Sequence, residues 1–323
     1  MAKKINARMM RAKMALEVAA ELYTKNMFTM GNVVRIAIEP SAKEEPFSPL
    51  VLGINGDLLG GMRAPLEVAA RRVDVAFVNP SAVVTMAYRG KGFFKKKLPL
   101  RALAVFPSWD RIAFAVSKEL KIKSLREIIE NKIPLRISTR SSGVDNTTHF
   151  TVGTILGCYG VSLASFKRWG SKIEEIPRPS MPQRGDSIRK RKVNAVFDEG
   201  ITSWLNGALD NDFELLPLEP AVIKRMEALG YRRAVIPQAR YPQLAKDIET
   251  IDFSGWPLIT HTGLSNTLAY SICEAIDARQ SVIPVDDDVP LDMKKLFGSA
   301  EAAPLGIPLH SGARKYFAEH GYL

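Results

Sequence analysis

The chain has 323 residues, 46% hydrophobic and 24% charged, which is enough apolar material for a real core and too much for a disordered tail or a fibre. A domain takes about 150 residues, so the length suggests two domains or one large one. No apolar run approaches the roughly 18 to 20 residues of a membrane-spanning helix, which excludes an integral helical transporter or channel. Lys and Arg number 45 against 34 Asp and Glu, a net charge of +11 that attracts anions of any kind and says nothing about fold.

Much of that excess is local. Lys3, Lys4, Arg8, Arg11 and Lys13 crowd the start, Arg89, Lys91, Lys95, Lys96 and Lys97 form a second cluster, and Arg184, Arg189, Lys190, Arg191 and Lys192 a third. Only Phe93 and Phe94 interleave with them, which is no platform for stacked bases, so these runs read as solvated loops and no nucleic acid partner is expected. Cys158 and Cys273 stand far apart without Cys-x-x-Cys spacing, and His149, His261, His310 and His320 form no His-x-x-x-His pair. Neither a metal site nor a cofactor is expected.

The elements follow in chain order. Met10, Met14, Val18 and Leu22 recur every fourth residue, predicting an amphipathic helix over residues 1–32 that ends near Asn26 and packs on the body of the protein. Lys13, Glu17 and Glu21 interrupt the apolar stretch an export leader needs. The chain as it begins therefore reads as cytoplasmic, and as periplasmic if a leader precedes it. Next come a strand at 33–39, a glycine-rich segment with glycines at 53, 56, 60 and 61, a helix at 65–73, a short strand at 74–80 and a helix from Ser81. Strands at 100–109 and 111–117 break at Pro107, and Ser124 caps a helix.

A strand at 135–139 then runs through a polar turn into a long helix at 147–159 ended by Gly160. Residues 178–192 are rich in Pro, Arg and Lys and read as a loop leading into a basic helix. "NAVFDEG" is a strand ending in polar residues, with "ITSWLNGAL" helical after it. "FELLPL", "RRAVIP" and "WPLITHTGLS" supply later strands, and "NTLAYSICEAIDAR" and "GARKYFAEHG" late helices. This alternation predicts an α/β fold with mostly parallel sheets.

The motifs of common catalytic sites are missing, Gly-x-Ser-x-Gly, the phosphate loop and His-Glu-x-x-His among them. "GINGDLLGG" departs from the dinucleotide fingerprint. What recurs is a strand ending in small hydrogen-bonding residues: Asn55, Asn79, Ser81, Thr139, Arg140, Ser141, Asp198 and Glu199. Ligands of α/β sheets sit outside the carboxyl ends of strands, where helix N-termini and unpaired amides converge. For any one of these residues an ordinary turn or cap is the plainer reading.

"VDVAFVNPSAVVTMAYRGKGFFKKKLPLRALAVFPSWDRIAFAVSKELKIKSLREI" and the closing "PLGIPLHSGARKYFAEHG" resemble the TAXI-type solute receptors of tripartite ATP-independent periplasmic (TRAP) transporters, in an order covering roughly residues 50 to 323. The resemblance implies an α/β fold of the type 2 periplasmic-binding-protein kind, two lobes with a ligand cleft between them. Lobe 1 would be residues 33–112 plus 254–323, and lobe 2 residues 113–253. It implies capture of a small anionic organic solute, such as an amino acid or a dicarboxylate, with TRAP membrane subunits as partners. By position, Asn55 and Gly56 fall in the first loop, Asn79 and Ser81 at a strand end, and Thr139, Ser141, Ser142 and Gly143 in the polar turn, with Asn146 and Thr147 at the helix start.

Under that resemblance a carboxylate would be held by Ser141, Ser142 and helix-start amides, with Arg140 or Arg111 as the charged partner. Asp198 or Glu199 would accept from an amino or hydroxyl group, and Trp109 would supply an apolar wall. The plainer alternatives are packing for Trp109 and an ion pair with Asp110 or a neighbour for Arg111. The sequence departs from the family in its first loop, which lacks the usual aromatic residue, and in the acidic pair Asp198 and Glu199. A rival reading is a cytosolic, cofactor-free decarboxylase or hydrolase using Asp198, Glu199, Arg140 and His149. Adjacent acids on a strand point to opposite faces, which weakens a paired-carboxylate mechanism.

Overall fold

The computed structural model describes residues 7–25, 28–30, 35–38, 50–53, 60–142, 146–284, 290–298 and 300–323. The chain divides into two compact units, Met1–Trp109 with Ser254–Leu323, and Asp110–Phe253. The first stretch holds α1 (Ala7–Lys25), β1 (Phe28–Met30), β2 (Arg35–Ile38), β3 (Leu50–Gly53), α2 (Gly60–Ala69), β4 (Val75–Phe77), α3 (Ser81–Arg89) and β5 (Leu100–Phe106). The second unit holds β6 (Ala113–Ser117), α4 (Leu125–Glu130), β7 (Arg136–Arg140), α5 (Thr147–Cys158), α6 (Leu163–Arg168), β8 (Lys172–Ile176), α7 (Pro182–Arg189), β9 (Ala195–Asp198), α8 (Leu205–Leu209), β10 (Phe213–Leu216), α9 (Pro220–Leu229), β11 (Arg233–Ile236) and β12 (Ile248–Ile251). The chain then returns to the first unit with β13 (Trp256–His261), α10 (Asn266–Ala278) and α11 (Ser311–Glu319).

In the first unit the sheet order is β1-β2-β3-β4-β13-β5. β3 and β4 are parallel, but β13 lies antiparallel between β4 and β5, and β2 is antiparallel to β1 and β3. In the second unit the order is β10-β6-β9-β7-β8, with β8, β7 and β9 parallel and β6 antiparallel to both β9 and β10. β11 and β12 pair antiparallel on their own. The expectation of mostly parallel sheets therefore needs correcting. β6 and β13 are the strands that follow a crossing of the chain from one unit to the other, and each inserts into its sheet against the prevailing direction. A pairing between Phe77 and Leu258, 181 positions apart, is invisible to local alternation.

The core of the first unit joins sheet residues Phe77, Phe106, Trp256 and Leu258 to Ile272, Cys273 and Ile276 on α10 and Phe317 on α11. β5 is buried along nearly its whole length, as expected of a strand covered on both faces. α1 lays Met10, Met14, Ala15, Val18 and Ala19 into this core, while Glu17 and Glu21 reach Arg279 on α10 at 3.2 and 3.8 Å. Half-exposed ion pairs of that sort contribute about 1 kcal/mol at most, so the apolar face holds the helix in place. α2 starts at Gly60, earlier than the expected 65, because Met62 and Ala64 also turn inward; Pro65 lies inside it. The helix beginning at Ser124 is as read: the Ser124 hydroxyl accepts from the Glu127 amide at 3.1 Å.

In the second unit Phe197 packs against two rings, tilted against Phe114 with centroids 4.7 Å apart and edge-to-face with Phe166 at 6.1 Å. Among the described residues no helix is long and apolar enough to cross a membrane.

The closing motif seen in the sequence has a packing reason. His310 caps α11: its Nδ1 accepts from the Gly312 amide at 3.2 Å, and its Nε2 donates to the Leu264 carbonyl at 3.1 Å. That pattern requires the neutral ring, with the proton on Nε2. Gly312 then touches α10 so closely that a Cβ would sit 2.1 Å from the Asn266 carbonyl oxygen. Burial pushes the His310 pKa below its ordinary value; the hydrogen bond to Leu264 opposes this, and the Arg101 charge and His261 reinforce it. Because the folded state prefers the neutral ring, the stability this group supplies is complete above the unfolded pKa of about 6.5 and is lost as the pH falls below it. His310→Asn, which keeps a capping oxygen and does not titrate, is expected to flatten the fall in Tm between pH 8 and pH 5, read by thermal unfolding. An unchanged slope would contradict this role.

Candidate functional site

β7 ends at Arg140, and the next two residues carry short hydroxyl side chains. The Ser141 amide donates to the Ile176 carbonyl at 3.0 Å, tying the turn to the end of β8, and the Ser142 amide reaches a Glu175 carboxylate oxygen at 3.3 Å. Ser141 is half-buried and Ser142 exposed, and among the described residues neither hydroxyl is engaged. Asn146 is the N-cap of α5: its side-chain oxygen accepts from the Thr148 and His149 amides at 2.9 and 3.0 Å. Those amides, expected to face a ligand, are thus occupied by the cap. Thr147 is buried, and its carbonyl accepts from the Thr151 hydroxyl, which also meets the Tyr231 hydroxyl at 2.6 Å. Thr139 is fully buried and donates to the Phe197 carbonyl at 2.7 Å, so it joins β7 to β9. Gly143 lies outside the described residues.

Beneath this turn sits a buried charge cluster. Arg140 pairs with Glu199, lies 3.6 Å from Asp198 and donates to the Pro177 carbonyl at 3.2 Å. β9 stops at Asp198, so Glu199 has left the strand and both acids reach one guanidinium, contrary to the alternation expected of adjacent strand residues. Gly200 makes that departure possible with φ of 65°, and a Cβ there would lie 2.3 Å from Pro179 Cγ. Asp198 is fully buried, accepts from the Glu199 amide at 2.8 Å and meets Arg184 of α7 at 2.5 Å. That contact is charge against charge rather than an aligned hydrogen bond, since neither Asp198 Oδ2 nor the two terminal nitrogens of Arg184 has a hydrogen-bond partner. Arg184 Nε donates to the Ser138 hydroxyl at 3.3 Å, and the guanidinium lies over the Trp204 ring.

Desolvation lowers the Arg140 pKa from its usual value, and the Asp198 charge opposes that shift. Asp110 adds a third carboxylate, accepting from the amides of Arg111, Gly200 and Ile201. Arg111 is spent elsewhere: it pairs with Asp252 at 2.7 Å and donates to the Asp110 and Val235 carbonyls, nearly all of it buried. The His149 ring faces the Arg140 carbonyl at 3.4 Å.

In the first unit Asn79 follows β4 and precedes a cis peptide to Pro80. It is half-exposed, and no described residue engages its side-chain amide. Ser81 opens α3 but is buried; its amide donates to the Ser254 carbonyl at 3.2 Å and its hydroxyl has no hydrogen-bond partner. The close approach is allowed by Gly255, where a Cβ would lie 2.3 Å from that hydroxyl. Trp109 is half-buried at the last position of the stretch before the second unit. Asn55 and Gly56 lie outside the described residues.

The candidate residues therefore sort by what they already hold. Thr139, Arg140, Ser141, Ser142, Asn146, Thr147, Asp198 and Glu199 gather at one end of the second unit's sheet, and Ser141 and Ser142 keep their hydroxyls unengaged. Arg111 lies just before β6, whose start pairs with the end of β9, but its guanidinium is already taken by Asp252 and two carbonyls. Arg184 was missed, being read with a solvated basic run; its signal was the placement of Ser187 and Ile188, three and four residues on, which puts all three on one buried face of α7. A hollow of about 300 Å³ opens between α7 and α8, with Met181, Ile188 and Trp204 among its walls; none of the expected site residues lines it. Among the described residues no group of three or more His, Cys, Asp or Glu is placed to hold a metal ion.

Residues 65–321 match the model of the NMT1-like family. The chain belongs to that family. Each of its two units is α/β, with an antiparallel strand inserted into its sheet. Solved structures similar to it include a methylphosphonate-bound PhnD1 from Prochlorococcus marinus (12% identity, 98% of this chain and 86% of that one, TM-score 0.41). Another is the glycine/betaine/L-proline-binding protein ProX from Borrelia burgdorferi (14% identity, 84% and 77% covered, TM-score 0.40). A third is the alkanesulfonate-binding protein SsuA from Xanthomonas axonopodis pv. citri (11% identity, TM-score 0.31), where the match takes in 68% of this chain and spans 61% of that one.

Removing Asp198 would leave the buried Arg184 charge uncompensated. Asp198→Asn is expected to cost about 3–5 kcal/mol of stability, measured by urea unfolding, the usual cost of breaking a buried pair. A loss within the error of the wild-type value would show that the contact is not needed.

Proposed function

We propose that this member of the NMT1-like family is a solute-binding protein, which captures a small anionic organic solute and releases it unchanged to membrane transport subunits of the TRAP type. The observation that carries the reading is the pair of unengaged hydroxyls at Ser141 and Ser142, between the carboxyl end of β7 and the start of α5. That is where an α/β sheet offers donors to an anion. Arg140 backs the turn, but its charge is already met by Glu199 and Asp198. The solute is therefore held chiefly by neutral donors, as suits an anion that must also be released.

A thermal-shift screen of sulfonates, phosphonates, dicarboxylates and amino acids tests this. A true ligand at a hundred times its Kd stabilises by about 2.7 kcal/mol, and it should be recovered chemically intact. Ser141→Ala with Ser142→Ala is expected to weaken the best ligand about ten-fold or more, at about 1.4 kcal/mol per ten-fold, without lowering the Tm of the free protein. Conversion of the ligand to a product, or full affinity in the double variant, would refute the proposal.

A further inference from the structure

Between Asp74 and Asp110 the chain contains no Asp or Glu and carries six cations, Arg89, Lys91, Lys95, Lys96, Lys97 and Arg101. The structure gathers the first five at the end of α3 (Arg89) and on the loop joining it to β5, all five exposed. Among the described residues none of these five is paired with a carboxylate, whereas the arginines of the second unit's surface are widely paired, as in Arg126 with Glu219 and Arg233 with Glu249. The cluster is an unspent positive charge.

The loop is also stiff. Gly90 ends α3 in the left-handed region, with its own amide bonded to the Ala87 carbonyl and the Lys91 amide to Met86. The Leu98 amide returns to that same Ala87 carbonyl at 3.1 Å, and the Phe94 amide closes a turn onto Lys91 at 2.9 Å. Phe94 and Leu98 are buried, and a Cβ on Gly90 would lie 2.5 Å from the backbone of Lys96 and Lys97. The three consecutive lysines are thus presented on a backbone pinned at both ends, so little ordering is needed on association. Phe93 stays half-exposed beside them, edge-on to Phe94.

From this we infer that the α3–β5 loop is a docking surface for an anionic phospholipid membrane. Its four cations are all lysines, compact charges on flexible stems that suit many mobile phosphates, with Arg89 beside them at the end of α3, whereas a shaped carboxylate partner favours the planar fork of arginine. An aromatic ring among the lysines matches the interfacial zone of a bilayer, which takes amphipathic rings at headgroup depth. The attraction is the diffuse kind that acts within a Debye length of a negatively charged leaflet.

The test is flotation of the full chain with vesicles of phosphatidylcholine alone and of phosphatidylcholine with phosphatidylglycerol, at low and high salt. The expected result is binding to the anionic vesicles alone, lost at high salt. Lys95→Gln, Lys96→Gln and Lys97→Gln together should lower the partition coefficient about a hundred-fold, at roughly five-fold per lysine, with an unchanged Tm. A control that removes three exposed charges elsewhere, Lys172→Gln, Lys190→Gln and Lys192→Gln, should bind as the wild type does. The inference is overturned if the anionic vesicles do not bind the protein, if the loop variant binds them as well as the control, or if heparin is captured while the vesicles are not.

Discussion

Asp198 meets Arg184 where neither can reach water, and the end of the second unit's sheet is arranged around that contact. Burying two charges costs several kcal/mol each, and their attraction offsets this only when the surrounding groups are held in place. The surroundings are held. Ser138 receives Arg184 Nε, the Thr139 hydroxyl locks β7 to β9, and Asp110 fixes the amides after Glu199. Arg140 then stands over this base with its own charge met by Glu199. The Ser141–Ser142 turn is therefore built on a rigid, electrically balanced floor.

That balance decides what kind of site the turn can be. Arg140 and Arg184 face Asp198, Glu199 and Asp110, so the cluster under the turn carries no surplus of cations. Under the proposed function, recognition of the solute would fall to the Ser141 and Ser142 hydroxyls, since the amides of Ser141, Ser142, Thr148 and His149 already have acceptors; such donors give modest net energies of about 1 kcal/mol each. Asp198 and Glu199, taken from the sequence as acceptors or as catalytic acids, are instead spent on arginines. In the first unit, the exposed cations at and after the end of α3 meet no carboxylate among the described residues.

The α/β class was legible in the sequence because strands such as "RALAVF" and helices such as α10 announce themselves through short-range pattern and caps. The inserted strands β6 and β13 were not, since their partners lie far off in sequence and nothing local marks direction. At the candidate site, the polar strand end from Thr139 to Thr147 could be read as such, but which of its residues were already satisfied could not. Whether the Thr139 hydroxyl meets Phe197, or Asn146 takes its own helix's amides, is a matter of tertiary distance. Arg184 was hidden by the charges around it: composition marks residues 184–192 as solvated, and only the helical spacing from Arg184 to Ile188 reveals the buried face.

The most direct test of the central claim is hydrogen exchange across the chain with and without a solute that stabilises it. Slower exchange of the amides at 141–149 in the presence of the solute is the expected result, because the ligand would seal the turn after β7 and the first turn of α5. Unchanged exchange there, with protection appearing instead around the hollow beside Trp204, would contradict the account.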